Sequence, residues 1–177
     1  MRVFVAGATG VIGRPLVRVL LERGHEVGRL TCDVFDVDAL RAEIDAFAPE
    51  IVVNELTRMP RDPAAIGPDV NVRIRTEGHR NLLAAAGSAR YVAQSVAFPL
   101  PGAAGDAVAE LERTTLAAGG VVLRYGVFWG PGTYGGDEPP PPPRVHVEEA
   151  AARTADALHW PSGVYEIVST STTAPGG

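Results

Sequence analysis

Apolar residues along this chain fall into two rhythms. Short apolar runs, such as Val3 to Ala6, Ile51 to Val53 and Val121 to Leu123, have the length and content of strands buried on both faces. Between them the apolar positions recur at helical spacing. Residues 12–23 carry Leu16, Val17, Leu20 and Leu21 on one side and Arg14, Arg18 and Glu22 on the other, with Gly24 as the stop. Asp36 is placed to cap a helix over 37–47, whose Leu40, Ile44 and Phe47 share a face before Pro49 ends it. Further helices are predicted over 70–86, from a cap at Asp106 through Ala118, and over 146–158; further strands over 25–32, 90–95 and 164–168. Loops are expected at 57–69 and 98–105. A glycine- and proline-rich stretch lies at 130–145, with five prolines in a row at 139–143, and cannot be regular helix or strand. Strands alternating with helices at this spacing predict an α/β fold: a doubly wound parallel sheet in one domain over residues 1–168, with a polar tail at 169–177.

The first strand runs straight into Gly7, Gly10 and Gly13, and a helix follows at once. In such a strand–turn–helix unit the first glycine permits the tight turn and the second lets a pyrophosphate approach the backbone. The third lets helix and strand pack closely, and the helix N-terminus offers unpaired N–H groups to the anion. The arrangement predicts a dinucleotide-binding β-α-β unit.

Composition narrows the picture further. The chain has 177 residues, and all 16 of its basic residues are arginine. A net charge of −5 and the lack of any basic cluster argue against nucleic acid or an anionic membrane as partner. No apolar run approaches the ~20 residues needed to span a bilayer. Cys32 is the one cysteine, so no internal disulfide forms. A cytoplasmic protein acting on a small molecule is the expectation, and four scattered histidines give no metal-ligand spacing.

Taken together, several stretches resemble the extended short-chain dehydrogenase/reductase family, in its NAD-dependent epimerase/dehydratase branch. They are Gly7-Ala-Thr-Gly-Val-Ile-Gly13, Asp33-Val-Phe-Asp36, Asn71 with residues 76–83, Val92-Ala-Gln-Ser95, residues 123–132, residues 145–149 and residues 163–168. The resemblance implies a Rossmann-like fold and a nicotinamide cofactor, NAD or NADP. It implies that Gly7, Thr9, Gly10, Val11, Ile12 and Gly13 hold the pyrophosphate end. Asp33, Val34 and Leu56 would then lie along the rest of the cofactor, with Thr31 at the place of the usual ribose carboxylate. Asp33 fits either a ribose or an adenine role.

The departures from the family pattern are as informative. The family's acid–base group is a tyrosine assisted by a lysine four residues later, an ammonium being needed to bring a phenol of pKa ~10 towards neutrality. Aligning the end of that helix puts Ala104 and Val108 at those positions, and a chain without lysine cannot restore the pair in any register. Ser95 and Tyr134 remain as candidate catalytic hydroxyls. Glu55 reads as a loop acid or as a general base at the mouth of the sheet, Arg124 as half of an ion pair or a substrate-binding group, Tyr125 as packing or a hydroxyl presented to a ligand, and Gln94 as structural. Relative to the family, segments after residue 25, between 132 and 144, and after 168 look shortened. Such shortening predicts weak dinucleotide binding and an apolar surface that a homodimer would cover. Three functions stay open: an atypical NAD(P)-dependent oxidoreductase or epimerase, a cofactor-independent isomerase, dehydratase or cyclase, and a non-catalytic binding or regulatory protein.

Overall fold

In the computed structural model, which describes residues 1–58 and 68–169, the two rhythms become two layers of helix around one sheet. The strands are β1 (Arg2–Ala6), β2 (Glu26–Arg29), β3 (Ile51–Asn54), β4 (Arg90–Val96), β5 (Val121–Tyr125), β6 (Val127–Trp129), β7 (Arg144–His146) and β8 (Gly163–Ile167). The helices are α1 (Gly13–Glu22), α2 (Val37–Phe47), α3 (Pro68–Arg73), α4 (His79–Ala86), α5 (Gly102–Ala117) and α6 (Val147–Ala157). Six strands form a parallel sheet in the order β2-β1-β3-β4-β5-β8. The order reverses between β1 and β3. In open parallel sheets ligands gather at the carboxyl ends of the strands flanking that reversal.

Alternation along the strands sends side chains to opposite layers. Val3, Val5, Ile51, Val53, Val92 and Tyr125 pack with α1 and α6. Phe4, Ala6, Val52, Tyr91 and Ala93 pack with Leu40 and Ile44 of α2, Leu82 of α4 and Leu111 of α5. On this second face His79 is buried: Asn54 Nδ2 lies 3.3 Å from its Nδ1, and its Nε2 lies 2.9 Å from Thr114 Oγ1. Asn54 Oδ1 accepts from the Leu56 N–H at 3.1 Å, so its amide nitrogen donates to the ring. His79 is therefore neutral with its proton on Nε2.

Asp36 caps α2 as expected, accepting from the Ala39 N–H at 3.1 Å. Three details differ from the sequence expectation. The α5 helix begins at Gly102, so Asp106 lies within it rather than capping it. The predicted helix over 70–86 contains a wider turn at Ile74–Gly78 between α3 and α4. The stretch around the prolines is bounded by two three-residue strands, β6 and β7, paired in parallel. The predicted loop at 57–69 and the polar tail fall mostly outside the described residues.

Candidate functional site

The glycine turn has the geometry its spacing implies. Gly7 has φ of +91°, a conformation that disfavours side chains, and a Cβ there would meet the Glu55 carbonyl at 2.5 Å. A Cβ on Gly13 would lie 2.0 Å from the Gly7 carbonyl oxygen, which shows how tightly the helix start folds onto the turn. Gly10 differs: its Cβ would meet only the Gly7 oxygen, at 3.2 Å, and its outer side is open. No side chain caps α1, and its first turn holds no acidic residue. Thr9 and Gly10 are exposed, Val11 is half-buried and Ile12 is buried. These residues leave a backbone cradle for an anion at a helix N-terminus, and a pyrophosphate fits it.

Beyond β2 the cradle's surroundings are filled by the chain itself. The Glu43 carboxylate accepts from the Thr31 N–H at 2.8 Å, the Thr31 hydroxyl at 2.9 Å and the Cys32 N–H at 3.0 Å. Asp33 is exposed and its Oδ1 accepts from the Phe35 N–H at 3.0 Å. Val34 is buried, and its carbonyl accepts from Asn81 at 3.2 Å. Leu56 is half-buried at the end of β3.

Ser95 is turned towards α5, where its hydroxyl donates to Glu112 Oε1 at 2.5 Å. The same carboxylate is gripped by Arg124, with Nε 2.8 Å from Oε1 and Nη2 2.5 Å from Oε2. Desolvation pushes the Glu112 carboxyl up, but the hydrogen bonds from Arg124 and Ser95 outweigh it and hold the group below the usual carboxylate range. Arg124 is thus the ion-pair residue expected from its place in an apolar strand. Beside the pair, a cavity of about 340 Å³ opens at the ends of β4 and β5, walled by Val96, Phe98, Leu100 and Val108 with Glu112 and Arg124 at its polar end. Tyr134 stands 49% exposed on the loop that Thr133 and Gly130 close by a hydrogen bond. Among the described residues no hydrogen bond joins Ser95 and Tyr134.

Glu55 follows β3 just outside the strand, as read from the sequence, but it is buried, at 2% exposed. Its Oε1 accepts from the Tyr125 hydroxyl at 2.9 Å, and Tyr125 lies 2.7 Å from Thr154 Oγ1 of α6. Glu55 Oε2 and Gln94 Oε1 are buried without a hydrogen-bond donor. The sign in the sequence was a carboxylate continuing an otherwise apolar run, between Asn54 and Leu56.

A helix-flanked parallel sheet with an open glycine cradle at its order reversal defines a fold of the Rossmann type. Residues 3–99 match the model of the NAD dependent epimerase/dehydratase family, and the chain belongs to that family. It is 40% identical to a 3-diazoavenalumate denitrifying reductase of a Streptomyces species, over 75% of this chain and 58% of that protein. It is 33% identical to a dTDP-4-dehydrorhamnose reductase of Streptomyces griseus, over 59% of this chain and 36% of that protein. The chain thus spans under two thirds of the length of either relative. Among solved structures, UDP-glucose 4-epimerase of Thermus thermophilus in complex with NAD superposes with a TM-score of 0.78 at 20% identity, covering 95% of this chain and 78% of the other. The dTDP-4-dehydrorhamnose reductase of Bacillus anthracis in complex with NADP gives 0.77 at 17% identity, covering 96% and 76%. These likenesses carry the fold, and family and cradle together fit a nicotinamide dinucleotide. Among the described residues no helix is long and apolar enough to cross a membrane, and no cluster of metal-ligating side chains occurs.

Proposed function

We propose that this protein is a nicotinamide-dependent reductase whose acceptor takes a hydride without a proton from a protein tyrosine. The observation that carries the reading is the pairing of an open phosphate cradle with an α5 wall bearing Ala104 and Val108, with Val108 lining the cavity. When bound, a reduced nicotinamide supplies a hydride. The chain's part is to hold the pyrophosphate on the Gly7–Gly13 backbone and to present the acceptor against Val96, Phe98 and Val108. Glu112 and Arg124 neutralise each other, so this wall offers no free acid.

General acid–base help contributes typically ~10²–10⁴-fold, and reducing a carbonyl without it is slow. An acceptor already electron-poor enough to take the hydride alone does not need it. A carbon bearing a diazonium group is such an acceptor: the new C–H bond forms, the C–N bond breaks, and the electron pair leaves with dinitrogen. The 40% identity to a denitrifying reductase of a diazo compound supports this class of substrate. NADP is the cofactor to test beside NAD, since Glu43 already occupies the amides after β2.

The experiment is turnover of an arenediazonium carboxylate with reduced cofactor deuterated at the transferable position. We expect cofactor oxidation in step with gas release, with deuterium at the former C–N carbon. Reduction without label transfer, or equal turnover by Gly10→Asp, which places a carboxylate against the pyrophosphate, sinks the hydride reading and leaves a cofactor-free cleft.

A further inference from the structure

The cavity at the ends of β4 and β5 carries a charge that nothing in it compensates. Much of its wall is apolar, with Val96, Phe98 and Val108, and three charged side chains also line it: Glu112, Arg124 and Glu166. Glu112 and Arg124 hold each other by two hydrogen bonds, and that pair is neutral as a whole. Glu166 is the third. It stands beside Arg124 in the register of β5 and β8. Alternation along β8 sends it to the face opposite Ile167, which packs in the layer of α1 and α6. Glu166 is thereby on the α5 face of the sheet.

The Glu166 carboxylate makes no hydrogen bond and no ion pair among the described residues. Hydrogen bonds to Glu112 hold the Arg124 guanidinium above its ordinary value, and the Glu166 charge adds to the effect without a bond of its own. Arg153 of α6 reaches β8, but it donates to the carbonyls of Glu166 and Val168 and pairs with Glu149. An exposed carboxylate is ionised at pH 7. Glu166 therefore stands in the cavity as a charge and not as a proton donor. Two carboxylates against one guanidinium leave a single negative charge beside an apolar wall.

A neutral ring gains only from the apolar wall of such a cavity. A ring that carries positive charge gains from the wall and from the free carboxylate. We propose that Glu166 is the specificity residue of this cavity: its carboxylate selects an aromatic acceptor that arrives as a cation, an arenediazonium ion, over a neutral ketone of the same shape. The inference rests on the hydride reading of the preceding section. As the hydride arrives the acceptor loses its positive charge. Glu166 therefore holds the substrate more firmly than the transition state or the neutral product, and it acts on KM rather than on kcat.

The test compares wild type with Glu166→Gln in two assays. The first is calorimetric binding of benzamidinium and of benzamide, planar aryl probes of like size that differ in charge. Wild type should bind the cation roughly three- to tenfold more tightly than the neutral probe at about 0.05 M salt. That preference should shrink at about 0.5 M salt and be absent from the variant. The second assay is turnover of an arenediazonium carboxylate with deuterated reduced cofactor, where the variant should show KM raised roughly three- to tenfold and kcat unchanged. If Glu166→Gln does not fold, Glu166→Thr carries the same comparison. An equal charge preference in wild type and variant, or binding of neither probe, overturns the inference. Label transfer with the same KM in both proteins also overturns it and leaves the hydride reading standing. Charge preference that disappears in the variant, with no label transfer in either protein, sinks the hydride reading and leaves Glu166 as the group that selects a cation.

Discussion

The three glycines of the first turn make separable predictions, because the space around each differs. An added Cβ at Gly13 lies 2.0 Å from the Gly7 carbonyl oxygen and 2.8 Å from the Ala8 Cα. Both are backbone atoms, so no side chain can swing aside; the turn or the start of α1 must move. Overpacking of this kind costs about 1–3 kcal/mol and sometimes more. For a domain of this size that is a fall in Tm of roughly 2–4 °C per kcal/mol, so Gly13→Ala should melt roughly 2–12 °C lower. At Gly10 the only near neighbour is one oxygen at 3.2 Å, and the other side is open. Gly10→Ala should stay within ~1 kcal/mol of wild type, because relief of unfolded-chain entropy offsets slight crowding. Its new methyl group stands where a pyrophosphate must approach the backbone, so dinucleotide affinity should fall at least tenfold. Urea unfolding and fluorescence titration of reduced cofactor on the three proteins make the comparison. Unfolding of Gly10→Ala as severe as that of Gly13→Ala, or unchanged affinity in Gly10→Ala, would refute the division into a packing glycine and a ligand glycine.

Other expectations follow from the buried groups. Desolvation lowers the His79 ring to about 4, below its ordinary value near 6.5, so the folded protein resists a proton that the unfolded chain accepts. Stability should therefore decline as pH falls from about 6.5 to 4, by up to ~3 kcal/mol, and urea unfolding of His79→Gln should lack that portion of the loss. Glu55 has the opposite sign: its folded value is raised, so its contribution is lost as pH rises from near 4.5 through about 8. Glu55→Gln should unfold at higher urea than wild type at pH 8, by up to ~4 kcal/mol, and a variant less stable than wild type at that pH would contradict its burial as an acid. Ser95→Ala removes one of two donors to Glu112 Oε1 and should cost ~1 kcal/mol in urea unfolding, Arg124 keeping the carboxylate paired. Dinucleotide binding should be weaker than micromolar, because Glu43 holds the amides after β2; calorimetry returning a tighter Kd would show that this edge does not limit binding.

What the sequence made legible were features set by local chemistry. Continuous apolar runs announce strands buried on both faces, and β1, β3 and β5 lie where those runs are. Asp36 announces its own cap. The start of α5 was not legible, because Gly102 and Gly105 look like loop residues. Gly105 is there for another reason: a Cβ would lie 2.3 Å from the Leu100 carbonyl oxygen, so the position needs close approach rather than a break. The β6–β7 ribbon was hidden because three-residue strands leave too short a pattern. The site was legible at the glycine turn, where Gly7, Gly10 and Gly13 have the geometry their spacing implies. It was not legible at Glu55 or Ser95, whose partners Tyr125 and Glu112 lie 70 and 17 residues away in sequence.

The distribution of charge across the two faces of the sheet bears on what chemistry the fold permits. On the α5 face, Ser95 and Arg124 close around Glu112, and the carboxylate is held ionised. A group so paired neither gives nor takes a proton near neutrality. On the α6 face, Glu55 makes no ion pair among the described residues, and burial pushes its carboxyl up to about 8. The resemblance read from the sequence sets Ala104 and Val108, both on α5, at the positions of the family's usual acid–base pair. A substrate in the α5 cavity would meet apolar walls and a satisfied ion pair, while the buried carboxyl of Glu55 lies across the sheet, nearer the glycine cradle. That separation favours acceptors that need only hydride. It also implies that restoring a phenol at position 104 alone would not restore carbonyl reduction, because no ammonium is present to lower its pKa. Ala104→Tyr should leave reduction of a ketone as slow as in wild type, and Ala104→Tyr with Val108→Lys should accelerate it. A gain from the single substitution would mean that another group on the α5 wall supplies the charge.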